Sequence, residues 1–269
     1  GSLAGADKAA DALLKQSGVI REFSLQDLFN TAKVFSHCPI PNGNRVAIVT
    51  NSGGPGIMAT DAVCEHGMEI AHLSDQTKEA LRSFLPAAAS VKNPVDMIAS
   101  APLEHYKKTL ETVLADDGVD MVVVIYLPFL GLKDIDVAKA VMEIRAAHPD
   151  KPIVGVFMTK NEFFAHLSET EVNVPFFMFA EQAVEGLARL NQQRLWRERT
   201  DTPAPRYSVD TETVEAVFKQ AAADNRVQLT TGESLQVLAA YGVRVCRDGE
   251  AKDADEAVAL ANKIGYPVV

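Results

Sequence analysis

Short apolar runs alternate along this chain with segments whose apolar residues recur every three to four positions. The runs at Val46–Thr50, Glu69–Leu73, Val119–Leu127, Pro152–Phe157 and Pro175–Phe179 read as strands, the third being the strongest. Between them the helical period predicts a helix from the loop after Thr50 to His66, then helices over Asp75–Phe84, Leu103–Ala115 and Ile135–His148. A closing helix runs from Glu181 to about Arg199.

Near-continuous apolar strands separated by helices require a parallel sheet covered on both faces. Five such strands predict an α/β domain of the flavodoxin-like, doubly wound kind. Domains of that kind bind ligands beyond the carboxyl ends of the strands, where the strand order reverses.

The flanks follow different patterns. Ala6–Gln16 reads as a helix ending at Gly18, Val19-Ile20 as a very short buried strand, and Ser24-Leu25-Gln26-Asp27 as a capping box opening a helix through Val34. So little structure cannot build a core of its own, so 1–38 reads as the tail of a preceding domain. Pro39-Ile40-Pro41-Asn42-Gly43-Asn44 is a turn-rich linker, and Thr200–Ser208, with Pro203 and Pro205, is a second. Helices are expected at Thr211–Ala223, Thr231–Tyr241 and Ala254–Ile264, a strand at Val243–Cys246, and another strand opening at Gly265-Tyr266-Pro267-Val268-Val269.

With 47% hydrophobic and 23% charged residues the chain has an ordinary globular composition, and a net charge of -10 argues against nucleic-acid and anionic membrane surfaces. Cys38, Cys64 and Cys246 are far apart and lack metal or redox spacing, which fits a reducing cytoplasm. Cys64 reads as a buried helix residue. The six histidines show no metal-binding spacing, and Asp116-Asp117 reads as a solvated turn. Arg194, Arg197 and Arg199 with Trp196 read as an exposed helix end and a packing anchor.

One stretch carries candidate chemistry. In Arg45–Asp61 a β-branched run empties into Asn51-Ser52-Gly53-Gly54-Pro55-Gly56, and a helix of small residues follows. Pro55 suits a first helical turn, where an N–H has no partner to lose, and free N–H groups at the positive end of a helix dipole favour an anion. Asn51, Ser52, Gly53, Gly54, Pro55 and Gly56 are therefore the phosphate-binding candidates, against the plain alternative of a tight turn. Asn93-Pro94-Val95-Asp96 reads either as a turn toward the Leu103 helix or as a lining, through Asn93 and Asp96, beside that loop.

Three ordered motifs resemble one family. Gly1-Ser2-Leu3-Ala4-Gly5 is similar to the end of a Ser-His-Thr-Gly-Ser-Leu-Ala-Gly signature. Val46–Asp61 with Asn93-Pro94-Val95-Asp96 resembles a second ligase domain. Thr230-Thr231-Gly232-Glu233-Ser234 through Tyr241-Gly242-Val243, with Gly265-Tyr266-Pro267-Val268-Val269, resembles the entry to an ATP-grasp domain. Together they make the chain look like the middle of an NDP-forming (ADP-forming) acyl-CoA synthetase of the succinyl-CoA ligase superfamily.

The resemblance implies a domain order: 1–38 the tail of a first ligase domain, 39–44 a linker, 45–199 a second flavodoxin-like CoA-ligase domain, 200–209 a linker, and 210–269 the beginning of an ATP-grasp domain. It further implies interconversion of acyl-CoA, ADP and phosphate with carboxylic acid, CoA and ATP through a phosphohistidine. That histidine would fall just before Gly1, so no catalytic residue and no metal ligand is expected here. CoA, ATP or ADP, and Mg2+ would serve the parent enzyme, none bound tightly to this chain. Acyl-CoA and nucleotide would be met through the missing domains, the phosphohistidine segment would face the glycine loop, and a homo-oligomer is compatible with this. The fragment alone is expected to be inactive. Two other readings stay open: a synthetase-like sensing region of a protein lysine acetyltransferase, and a stand-alone flavodoxin-like binding module. Asn51–Ile57 has no aromatic residue to flank a flavin, which weighs against the last.

Overall fold

A computed structural model describes residues 2–129, 131–168, 171–200 and 203–269. Gly1 of the opening motif and residues 201 and 202 of the expected second linker lie outside them. The chain divides into two compact units, Gly1–Thr200 and Asp201–Val269.

In the first unit the elements run α1 (Ser2–Gln16), α2 (Leu25–His37), β1 (Arg45–Thr50), α3 (Gly53–Glu65), β2 (Glu69–Ile70), α4 (Asp75–Arg82), β3 (Val95–Asp96), α5 (Leu103–Leu114), β4 (Met121–Tyr126), α6 (Asp134–Ala147), β5 (Ile153–Phe157), α7 (Asn161–Ser168), β6 (Phe176–Phe177) and α8 (Ala180–Glu198). The strands pair in parallel in the order β2-β1-β4-β5-β6, and β3 pairs with the far end of β1. Alternation along β1 explains the two-sided core. Val46 and Ile48 pack with Ala59, Val63, Val184 and Leu187 on the face of α3 and α8, while Ala47 and Val49 pack with Tyr106, Leu110 and Val141 on the face of α5 and α6. The strand order reverses between β1 and β4, as the doubly wound reading requires.

Several expectations need correction. Val19 and Ile20 form no strand; Gly18 turns the chain at φ +74 against the Trp196 ring, and Val19 is exposed. Val95-Asp96 forms a strand, β3, instead of a turn, because Val49 and Thr50 outrun β2 and leave that edge of β1 free to pair. Helix α7 was not foreshadowed. Cys64 is exposed, since it falls on the outer face of α3. Asp116 is buried rather than solvated, accepting from the Ser74 N–H at 2.8 Å and the Gly118 N–H at 2.7 Å.

The helix α2 packs on α8, where Val34 fills the notch left by Gly186. In the second unit α9 (Thr211–Ala223) packs against α10 (Thr231–Ala240), and α11 (Ala254–Ile264) follows. Thr230 and Glu233 form a reciprocal capping box. Val243–Cys246 and the last five residues are irregular where strands were expected, lacking any neighbouring strand edge among the described residues.

Candidate functional site

The site begins where β1 runs out. Thr50 Oγ1 accepts from the Ser52 N–H at 2.9 Å and donates to the Ser52 carbonyl at 2.8 Å, which closes a tight turn into α3. Ser52 is the N-cap of this 13-residue helix, yet its side chain makes no capping bond. Pro55 has no N–H, and the Gly56 N–H donates to the Ser52 carbonyl at 3.3 Å. Among the described residues, nothing accepts from the N–H of Gly53 or Gly54. The starts of α2, α4, α9, α10 and α11 are capped by Ser24, Ser74, Asp210, Thr230 and Asp253, whereas those of α5, α6 and α8, like that of α3, carry no side-chain cap, so what sets α3 apart is its place at the reversal of strand order. An uncapped start at the reversal of strand order leaves two donors and the positive end of the dipole for an anion.

The glycines differ in what they allow. A Cβ on Gly56 would stand 3.2 Å from Thr50 Cγ2 and 3.6 Å from Pro94 Cβ, so this glycine lets α3 lie close on the sheet. A Cβ on Gly53 would stand 3.3 Å from Asp96 Oδ2, and one on Gly54 would meet nothing within 4 Å. The loop is therefore open at Gly54 and flanked by a carboxylate at Gly53.

The asparagines hold the frame. Asn51 is buried, and its amide donates to the Leu127 carbonyl at 2.8 Å and accepts from the Leu127 N–H at 2.9 Å. The Asn93 amide accepts from the Ile48 N–H at 2.9 Å and donates to the carbonyls of Val46 at 2.8 Å and Ala71 at 3.0 Å. It thus fills the gap in the sheet where β2 leaves β1 and before β3 joins, instead of lining the loop. Of the sequence candidates, Ser52–Gly56 and Asp96 share one rim, while the side chains of Asn51 and Asn93 turn inward.

Ile98, which carries no sequence signal, adjoins Asp96, and Tyr106 lies in the core. Asp96 Oδ1 accepts from the Ile98 N–H at 2.9 Å, and Ile98 is held at φ +66, a strained conformation for a β-branched residue. Tyr106 is fully buried with its hydroxyl unpartnered. Burial first, then the neighbouring Tyr126 and Asp96, push its ionisation above the ordinary tyrosine range. A cavity of about 280 Å3 beside Asn51 is lined by Ala99, Leu103, Tyr126, Phe129 and Leu132 among others, a largely apolar set.

Other reactive groups lie elsewhere. Burial pushes the Cys38 thiol up to about 12, against a smaller opposing effect of Arg145, which makes it a poor nucleophile. The described residues bring together no group of His, Cys, Asp and Glu able to hold a metal ion. Among them no helix is long and apolar enough to cross a membrane.

Comparison with known proteins matches residues 46–186 to the Ligase-CoA domain and 220–269 to an ATP-grasp domain. The 4-hydroxybutyrate--CoA ligase [ADP-forming] of Nitrosopumilus maritimus is 31% identical over 100% of this chain and 38% of its own length. The Acetate--CoA ligase [ADP-forming] II subunit alpha of Pyrococcus furiosus is 42% identical over 59% of this chain and 35% of its own length. The chain therefore spans little more than a third of these curated relatives. Among solved structures, the dinucleotide forming acetyl-coenzyme A synthetase 1 of Ca. Korarchaeum cryptofilum, in complex with phosphate and ADP, superposes with a TM-score of 0.65. It is 26% identical and covers 71% of this chain and 41% of that one.

Proposed function

Because the chain belongs to the Ligase-CoA domain family, we propose that it works as the central part of an ADP-forming acyl-CoA ligase and that its glycine loop cradles the phosphoryl group in transit. The reaction would interconvert acyl-CoA, ADP and phosphate with the carboxylic acid, CoA and ATP through a phosphohistidine carried outside this chain. A phosphoryl group on an imidazole carries close to two negative charges and needs donors that are already in place. The observation that carries the reading is the uncapped start of α3, with the Gly53 and Gly54 N–H groups free at the reversal of strand order. The apolar cavity beside Asn51 offers room for a small acyl group. CoA, nucleotide and Mg2+ would be held mainly by other parts of the enzyme. The segments 1–38 and 210–269 would belong to its first ligase domain and its ATP-grasp domain, joined through 39–44 and 200–209 to the domain at 45–199.

Gly54→Asp in a full-length ligase containing this chain tests the reading. The new Cβ meets nothing within 4 Å, so the fold should persist, while its carboxylate would occupy the anion's place. ATP formation from acyl-CoA, ADP and phosphate should fall by roughly a hundredfold with the melting temperature unchanged, the size expected when one preorganised electrostatic contact is lost. Unchanged turnover would overturn the cradle. The 269-residue chain by itself should make no ATP.

A further inference from the structure

The walls of the cavity beside Asn51 decide what it can hold. One wall follows β3 and carries Ala99 and Leu103, the other follows β4 and carries Phe129 and Leu132, with Asn51 and the fully buried Tyr126 at the base. Both walls are tied to the sheet. The Met97 N–H donates to the Thr50 carbonyl at 2.8 Å, and the Tyr126 hydroxyl donates to the Leu132 carbonyl at 2.8 Å. The polar groups at the base are thereby engaged, Tyr126 with Leu132 and Asn51 through its two bonds to Leu127. Ser100 is exposed, and Lys133, which follows Leu132, is exposed and stands outside the wall. Among the described residues, no charged side chain lines the cavity.

We propose that this cavity selects the acyl group, taking the tail of a short apolar monocarboxylic acyl chain and rejecting a chain that ends in a second carboxylate. The inference rests on the reading of the domain as part of an acyl-CoA ligase. Asn51 stands two residues before α3, so a chain whose carbonyl lies at the glycine loop has its tail within reach of the cavity. A volume of about 280 Å3 is just under the range of about 300–1,000 Å3 for sites that hold drug-sized ligands, so a few carbons fit and the pantetheine arm of CoA does not. Each methylene that enters an apolar wall strengthens binding about fourfold. A terminal carboxylate gains nothing there, because it gives up its water and meets no cation among the described lining residues.

The test is kcat/KM for ATP formation from ADP, phosphate and a series of acyl-CoAs, in a full-length ligase containing this chain. Butyryl-CoA should exceed acetyl-CoA about 15-fold for its two added methylenes. It should exceed succinyl-CoA, a chain of the same length ending in a carboxylate, by at least about a hundredfold. Phe129 is 51% exposed, so Phe129→Arg should fold, and it sets a cation beside the cavity. In that variant the preference for butyryl over succinyl should narrow about tenfold or more, through a rise with succinyl-CoA. Phe129→Ala removes part of one wall without adding charge, and butyryl should then exceed acetyl by only a few fold. A thermal melt shows whether each variant folds, and either one suffices to decide. A series that does not rise from acetyl to butyryl, a succinyl-CoA value equal to that of butyryl-CoA, or ratios that neither variant moves overturns the cavity as selector and leaves the ligase reading standing. Turnover with none of these acyl-CoAs overturns the ligase reading, and the selection falls with it.

Discussion

The side-chain amide of Asn51 and the backbone of Leu127 exchange two hydrogen bonds, 2.8 Å from the amide to the carbonyl and 2.9 Å from the N–H to Oδ1. The ends of β1 and β4 are thereby tied at the point where the strand order reverses, just before the glycine loop departs.

Asn51→Asp should break this tie. Aspartate keeps the acceptor for the Leu127 N–H but sets a second oxygen against the Leu127 carbonyl in a position that is 3% exposed. A buried group left facing a like group costs about 1–3 kcal/mol, so the melting temperature of the Gly1–Thr200 unit should drop by several degrees. An unaltered melt would mean that β1 and β4 hold their ends without the amide.

Val34 and Gly186 make a second separable test. A Cβ on Gly186 would lie 2.5 Å from Val34 Cγ2, closer than any relaxed contact. Gly186→Ala should therefore destabilise the packing of α2 on α8 by about 1–3 kcal/mol in urea titration. In a chain that already carries Val34→Ala the same change should cost much less, because the clash has been removed. Additive effects would show that the helices separate freely to accept the methyl.

Acid should loosen the second unit through Glu233. The Arg226 side-chain bond first, then the Thr230 N–H bond, hold this carboxyl at about 2, well below its ordinary 4.5. A group with a depressed folded value contributes stability in full above its unfolded value and loses it as pH falls through the folded one. Helicity of α10 should thus decline between about pH 4.5 and 2, and Glu233→Gln should remove much of that pH dependence. A native acid profile that survives Glu233→Gln would place the titration elsewhere.

Much of this architecture is legible in periodicity. Val46–Thr50 and Val119–Leu127 are apolar at every step because both faces of the sheet are covered, and no helix period fits them. The loop could be found from three glycines and a proline packed between a strand and a helix. The side-chain placement was not legible. Asn51 and Asn93 look identical to loop ligands in sequence, and their inward bonds depend on Leu127, Ile48, Val46 and Ala71, which only the fold brings near. Asp96 reads in the sequence, like Asn93, either as part of a turn or as a lining beside the loop, and what separates the two, its approach to Gly53 across from β3 to the start of α3, comes only from the fold. Val19-Ile20 and Val243–Cys246 misled because a two- to four-residue apolar run makes a strand only where an edge is free to pair with it.

Glu22 and Arg189 offer the last test, which asks how the first 37 residues are fastened. Arg189 Nε donates to Glu22 Oε1 at 2.8 Å and Nη2 to Oε2 at 2.9 Å, a bidentate pair, while the Thr31 hydroxyl adds a bond to Oε1 at 2.6 Å. The Glu22 side chain is 4% exposed and that of Arg189 23%. An exposed pair would be worth under about 1 kcal/mol, but a desolvated carboxylate that loses its guanidinium has no water to turn to. Arg189→Met should accordingly cost about 3 kcal/mol. Arg189→Met combined with Glu22→Leu should recover most of that loss, since two apolar groups replace the buried pair and the Glu185 carboxylate, which also loses Arg189 at 3.0 Å, is 28% exposed and can turn to water. The readout is urea unfolding together with protease cleavage between α1 and α2, which should accelerate in the single variant and return toward the native rate in the double. If both variants unfold and cleave like the native chain, the pair behaves as a solvated surface contact. In that case the hold on α8 comes from Val34 in its glycine notch.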